Sequence, residues 1–217
     1  MKSSETESPR NQVRVFVGRK IEAIQNAYLS PTGKSKGARE LAFLRHAVTR
    51  KPGDTPAIWG LEFEGMPDAL VGRCDDPSPG EWAVHAALTL YAVHQQSQSI
   101  PMHQWGREHG LGQAMRQLVL CAADRYESLE PGELPRRFAA LVTAESFSET
   151  MHYARQLVGQ LRRETIPLDY ALLAQQFYDL QFSEKANGVR RAWGRGFASC
   201  CLGEMCGQEQ ASLPEND

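Results

Sequence analysis

The fold prediction starts from one stretch of sequence, SPGEWAVHAALTLYAVHQQSQ, at residues 78–98. Ser78 has the character of an N-cap, Pro79 suits the first helical position, and Glu81 is an acid in the first turn. Apolar residues then recur at the three-to-four spacing of a helix face. The residues predicted to face inward are Trp82, Ala86, Leu90 and Val93. The stretch therefore predicts a long helix that ends near Gln98.

Helical periodicity continues on both sides of this stretch. The predicted helices are 13–29, about 37–48, one short helix within 55–76, about 111–122, 133–144, a helix capped by Ser146, 166–182 and 184–199. Glu149 follows Ser146 by three residues, which predicts a capping box. No alternating strand pattern, internal repeat or glycine-rich phosphate loop is visible. The sequence therefore predicts an all-α helical bundle.

The 217 residues, of which 41% are hydrophobic and 23% charged, suffice for a real core. The predicted organisation is a disordered lead-in (1–12), a helical domain (13–199) and an acidic tail (200–217). The domain is either single or divided into two small lobes, about 13–130 and 131–199.

Apolar runs and cysteines predict the compartment. The longest apolar runs are a few residues, far below the roughly 20 that a membrane helix needs. The N-terminus is polar and lacks the apolar stretch of a signal peptide. The five cysteines are odd in number and irregularly spaced, which favours free thiols in a reducing compartment. We therefore expect a cytoplasmic protein without a membrane partner.

Charge is segregated along the chain, although the net charge is only −2. Residues 10–51 hold ten basic residues against two acids, whereas residues 54–81 hold seven acids against Arg73 alone. Residues 185–195 form a second basic block without an acid. Segregated charge creates local fields that the net value conceals.

Catalytic and metal motifs are not recognisable. The six histidines include no His-Glu-x-x-His pair, and the cysteines lack a Cys-x-x-Cys spacing. The histidines are interpreted as surface or packing residues. No acidic cluster beside a histidine suggests a nuclease, and no serine lies in a nucleophile elbow. We therefore expect no catalytic residue, metal site or cofactor.

The basic residues favour nucleic-acid binding. Arg and Lys bind phosphate oxygens without reading bases, and each neutralised phosphate releases counterions. Most such residues are merely solvated, but Arg136-Arg137 and the block Arg190-Arg191-Ala192-Trp193-Gly194-Arg195 have no acid within them. Trp193 either stacks on a base or anchors the last helix in the core, and the core is the favoured interpretation.

Several phrases, taken in order, resemble one family. They are WAVHAALTLYAVHQQS (82–97), GLGQAMR (110–116), RRFAALVTA (136–144), IPLDY (166–170) and RRAWGRGF (190–197). This order resembles the CasB family, the small subunit of the type I-E CRISPR Cascade complex. The resemblance covers the chain from about Val13 to Phe197.

The resemblance implies a two-lobed helical protein, present as two copies that stack head to tail beside other Cascade subunits. Such a protein contacts guide RNA and target DNA backbone and helps to hold the displaced strand without cutting it. Sequence recognition in such assemblies belongs to guide pairing. The basic positions that the resemblance implies are Arg45, Arg136, Arg137, Arg190, Arg191 and Arg195. Charge clustering adds Lys34, Lys36 and Arg39.

Two alternatives stay open at this point. A helical adaptor would bind only protein and direct its basic patches toward acidic partners. A small helical nuclease would cut nucleic acid with a divalent metal. The acidic segment 54–81 and the acidic tail match no role in the family, and they are either surface residues or contacts with a basic neighbouring subunit.

Overall fold

A computed structural model describes residues 7–125 and 132–199 of the chain. Within these residues lie nine α-helices, which confirms the predicted all-α class. The helices are α1 (Pro9–Leu29), α2 (Lys34–Ala47), α3 (Trp59–Glu62), α4 (Pro79–Gln95), α5 (Leu111–Arg125), α6 (Glu133–Thr143), α7 (Phe147–Arg163), α8 (Tyr170–Leu180) and α9 (Ser183–Ala198). Two short 3-10 segments, Pro56–Ile58 and Arg107–His109, lie in the connections.

Helix α4 is the centre of the bundle, since α1, α2, α7 and α8 all pack against it. Its residues from Ala83 to Ala92 are buried on every side, so the predicted single inward stripe is wrong. Trp82 and Val93, two members of that stripe, are only partly buried. A helix surrounded by other helices must be apolar all round. Truncating a central side chain such as Leu88 to alanine would cost about 2–5 kcal/mol.

The predicted helix starts are confirmed at two serines. The Ser78 hydroxyl accepts a hydrogen bond from the Glu81 amide at 3.0 Å, and the Glu81 carboxylate accepts one from the Ser78 amide at 2.7 Å. Ser146 likewise accepts from the Glu149 amide, at 3.1 Å. The Glu149 carboxylate, however, accepts from the amide of Glu145. The reciprocal half of the predicted capping box is therefore displaced by one residue.

The first helix begins at Pro9, so residues 9–12 are helical and do not belong to the predicted lead-in. Tertiary contacts explain the earlier start. Arg10 forms an ion pair with Asp179, and the Gln175 amide donates to the Asn11 side chain at 3.0 Å. Both partners lie on α8, far away in sequence, and no local pattern reveals them.

One hydrophobic core contains residues from both predicted lobes, including Leu41 of α2, Phe138 of α6 and Trp193 of α9. The predicted division near residue 130 falls outside the described residues and stays a prediction, as does the tail beyond residue 199. Trp193 is 1% exposed, and its indole nitrogen donates to the Gln176 side chain at 2.7 Å. Its interpretation as a core anchor is confirmed.

Across the described helices, none is both long enough and apolar enough to cross a bilayer. The cysteines in this part of the chain, Cys74 and Cys121, are free thiols.

Candidate nucleic-acid interface

Arg136 and Arg137, predicted from sequence as a pair, lie in the first turns of α6. Arg136 is exposed, while Arg137 is half-buried and forms an ion pair with Glu133 one turn earlier. An exposed pair of this kind contributes little to stability. The ion pair with Glu133 leaves the Arg137 side chain at the surface, where α6 packs against α7.

Helix α7 places further basic residues beside Arg137. Together they line an open cavity of about 410 Å³. The residues that line it are Arg137, His152, Arg155, Gln156, Gly159, Gln160, Arg162 and Arg163. No carboxylate is among these residues. Gly159 leaves the middle of the α7 surface open, since a Cβ built there has no atom within 4 Å.

A second cavity, of about 630 Å³, shares His152 and Arg155 with the first. It is bordered by Arg50 and Lys51 from the segment after α2, and it too has no acidic residue in its described lining. The two cavities therefore adjoin each other at His152 and Arg155. We call this surface the basic groove, and its cationic and titratable members are Arg50, Lys51, Arg137, His152, Arg155, Arg162 and Arg163.

The charges of the basic groove are largely available to a ligand. Within the described residues, the side chains of Arg50, Lys51 and Arg155 have no ion pair or hydrogen bond. Arg162 donates to the Gln96 side chain at 2.9 Å and Arg163 to the Gln160 side chain at 3.4 Å. Those partners are neutral amides, so neither hydrogen bond cancels a guanidinium charge. Arg137 is paired with Glu133, whereas the other five cationic side chains of the groove have no carboxylate partner in the described ion pairs, and such a local excess of positive charge attracts a polyanion.

The larger cavity also has an aromatic wall and a buried polar pair. Trp82 and Phe147 meet edge to face, with ring centroids 5.8 Å apart. His85, which is 2% exposed, lines the same cavity and binds the buried carboxylate of Glu62 through Nδ1. The Glu62 carboxylate also accepts from the Gly53 amide at 3.2 Å.

The second predicted arginine block lies on α9, where the three residues have different surroundings. Arg190 is half-buried and donates to the carbonyl of Ala144, the C-cap of α6, at 2.8 Å. Arg191 and Arg195 are exposed and lie one turn apart, opposite the buried Val189 and Trp193. Among the described contacts, none joins this block to Arg137. Whether the two blocks form one track stays a prediction.

The predicted cluster on α2 lies in a different environment. Lys36 and Arg39 line a separate cavity, also of about 410 Å³, together with Lys20, Glu40 and Glu64. Lys36 lies 3.8 Å from Glu40. Burial lowers the pKa of Lys20, while Glu64 and Glu40 act in the opposite direction. We call this surface the mixed cavity, because cations and acids alternate in it.

Lys34 and Arg45, the other two predicted residues of α2, lie outside both surfaces. Lys34 is exposed at the start of α2, and Arg45 is half-buried near its end. No described contact joins either residue to the basic groove.

Sequence reasoning missed Arg155, Arg162 and Arg163. A signal was present, because the stripe formed by Ala154, Leu157 and Leu161 faces the core and so turns the arginines outward. Arg50 and Lys51 lie in the basic segment 10–51, but the sequence analysis did not predict them as binding residues. Their proximity to α7 is a tertiary contact across about a hundred residues, which sequence spacing does not reveal.

Part of the acidic segment has an internal role. Glu62 is buried against His85, and Glu81 accepts hydrogen bonds from the amides of Gly72 and Ser78. Neither carboxylate is surface decoration, which corrects the sequence interpretation for these two. The other acids of the segment are exposed.

Three histidines are packing residues, as the sequence predicted. His85, His94 and His103 are 0–3% exposed. Burial lowers the pKa of His94 to about 3, and it also lowers that of His103. The Nδ1 atom of His94 lies 2.9 Å from the Tyr170 hydroxyl. Among residues 7–125 and 132–199, no three His, Cys, Asp or Glu side chains are grouped as metal ligands.

The fold and the groove together define a class: all-α helical bundles that carry a cationic surface. The chain belongs to the CRISPR-associated protein Cse2 family, whose model matches residues 40–197. The resemblance to CasB of the type I-E Cascade, inferred from sequence phrases, is thereby confirmed.

Solved structures agree with this assignment. The chain is similar to CasB from Thermobifida fusca, with 34% identity and a TM-score of 0.70, over 87% of this chain and 98% of that one. A Cse2-family protein from Thermus thermophilus has 19% identity and a TM-score of 0.57, over 83% and 96%. CasB from M. ruber has 20% identity and a TM-score of 0.55, over 82% and 91%. The last two show the fold alone. Among curated proteins, no sequence matches this chain.

Proposed function

We propose that this protein is a non-catalytic subunit of a type I-E CRISPR Cascade complex, and that it binds nucleic-acid backbone in the basic groove. Family membership supports the Cascade assignment. The single observation that carries the binding proposal is the groove itself. Six cationic side chains from the segment after α2, from α6 and from α7 line its two adjoining cavities, and no acid is among the described lining residues.

Backbone binding fits this chemistry better than base reading does. Guanidinium and ammonium groups bind phosphate oxygens by charge and by hydrogen bonding. In the proposed complex, the groove contacts guide RNA or target DNA and stabilises the displaced strand, while guide pairing supplies the sequence specificity. The exposed Arg136, Arg191 and Arg195, together with Arg190, extend the proposed contact surface. The remaining partners are a second copy of this chain and other Cascade subunits, in the cytoplasm.

A salt titration tests the proposal. Labelled single strands of unrelated sequence should bind the purified chain weakly and alike, with affinity that falls steeply as salt rises. In the variant Arg155→Glu with Arg163→Glu, two phosphate contacts are lost, so the slope of log K against log salt should fall by about 1.4. A matched control is Arg73→Glu with Arg107→Glu, since both residues are exposed and line neither part of the groove.

Four results would contradict the proposal. Equal losses in the groove variant and in the control variant would show only a net-charge effect. Tight binding of one sequence alone would indicate base reading. Divalent-metal-dependent cutting of the labelled strand, which survives purification and disappears on replacing one acid, would favour the nuclease alternative. The absence of any binding at low salt would favour the protein adaptor.

A further inference from the structure

The larger cavity of the basic groove has two chemically different parts. Its rim carries the cations Arg50, Lys51 and Arg155, whereas its wall is formed by Trp82, Phe147 and Met151. A phosphate backbone needs only the rim. An aromatic wall below a cationic rim is the combination by which proteins hold single strands, with phosphates on the charges and bases stacked on the rings.

The aromatic wall is accessible and well positioned. Trp82 and Phe147 are each half-buried, although both belong to helices that pack into the core. Phe147 is held from behind by Phe177, whose ring centroid lies 5.8 Å away. Since this contact and the one with Trp82 restrict the Phe147 ring, a planar ligand would lose little on ordering it. The cavity volume of about 630 Å³ lies within the usual range of about 300–1,000 Å³ for small-molecule sites.

We infer that this cavity is a binding site for one unstacked nucleobase of a single strand whose phosphates lie on the rim of the basic groove. The base packs against the aromatic wall that Trp82 and Phe147 form. This inference rests on the proposed function and adds to it a site for the base. Since every base has a flat face, the site favours single strands over duplexes without selecting a sequence.

The test compares a short single-stranded DNA with a strand of equal length in which abasic residues replace the nucleosides. Both carry the same phosphates, so the difference in affinity measures base contacts. The full chain should bind the base-bearing strand about tenfold more tightly. Phe147→Leu removes the aromatic face, and Ser148→Leu places an aliphatic group at the cavity edge. Each should reduce the preference to about twofold while leaving abasic-strand affinity and its salt dependence unchanged.

Matched controls are Phe197→Leu, a half-buried phenylalanine, and Gln117→Leu, an exposed polar residue, neither of which lines this cavity. Both controls should keep the full preference. Equal affinity for the two strands in the wild type would overturn the nucleobase site but leave the proposed function standing. A preference that persists in both cavity variants would place the base elsewhere and also overturn it. If neither strand binds, the proposed function and this inference fail together.

Discussion

The basic groove and the mixed cavity differ in a way that the sequence alone conceals. The mixed cavity lies in the most basic part of the chain, where residues 10–51 hold ten basic residues against two acids. Yet its lining combines Lys20, Lys36 and Arg39 with Glu40 and Glu64. The basic groove takes half of its six cationic side chains from α7 and has no acid in its described lining. Local charge density in sequence is therefore a poor guide to the sign of a surface.

The difference has a simple physical origin. Glu64 comes from the acidic segment, which folds back over α1 and α2, so that the charges of two oppositely charged segments cancel. In the groove, Arg155, Arg162 and Arg163 share the solvent face of one helix, and the nearest hydrogen-bond partners are neutral amides. Uncancelled charge is what a phosphate backbone detects.

The largest expected effect comes from reversing charge in the two regions separately. Each phosphate contact contributes about fivefold to single-strand affinity at about 0.1 M salt, so Arg155→Glu with Arg163→Glu should weaken binding about 25-fold. Lys36→Glu with Arg39→Glu makes the same charge change in the mixed cavity and should weaken it only about threefold. Fluorescence anisotropy at the same salt concentration measures both. Equal losses would remove the distinction between the two regions.

The stability of the protein in acid tests the surroundings of His94, which is buried close enough to Arg162 of the groove to feel its charge. Burial, together with the positive charge of Arg162, lowers the His94 pKa to about 3. Between about pH 6.5 and pH 3 the unfolded chain binds a proton that the folded chain does not, so stability falls with falling pH. From about pH 6.5 to about pH 5.5 the free energy of unfolding should fall by about 1 kcal/mol.

Urea unfolding at the two pH values measures this effect. His94→Gln removes the titrating group, so its unfolding free energy should depend less on pH, although His103 still contributes in the same direction. His152→Gln, in the exposed part of the groove, is the control and should behave like the wild type. A His94→Gln variant with an unchanged pH slope would contradict the assignment.

The α9 block gives a smaller expected effect. Arg191 and Arg195 are exposed one turn apart, so Arg191→Glu with Arg195→Glu should leave the fold intact within about 0.5 kcal/mol. If one phosphate of a single strand contacts Arg191 and Arg195, this double replacement should lower the single-strand affinity about fivefold. Binding indistinguishable from wild type would show that the predicted track does not extend from the groove to α9. Arg190 is a poorer probe, because its replacement also removes the bond to Ala144.

The smallest expected effect is a gain in single-strand affinity. Glu40→Gln with Glu64→Gln would remove both acids from the lining of the mixed cavity and make it resemble the groove. Single-strand affinity should then rise about two- to threefold at low salt, with no gain at high salt. The matched control is Asp68→Gln with Asp75→Gln, which removes two exposed acids outside that cavity. An equal gain in the control would reduce the effect to net charge.

The sequence by itself determined the helices and the family. Helical periodicity and the Ser78 and Ser146 caps are local features, because capping and periodicity depend on residues within a turn or two. They therefore placed most helices within a few residues of their observed bounds. The early start of α1 was missed, because Arg10 and Asn11 are held by α8. The family resemblance rested on the order of five sequence phrases along the chain, and that order can be read without a structure.

Only the tertiary structure decided which charges meet. It brought Arg50 and Lys51 to α7, placed Glu64 beside Lys36 and Arg39, and turned Arg190 toward the end of α6. It also joined Glu62 to His85, and His85 lines the same cavity as Trp82. The electrostatic field of a surface depends on distances in space, and residues far apart in sequence can lie side by side in the fold. Helix-forming tendency is local, whereas electrostatic complementarity is not.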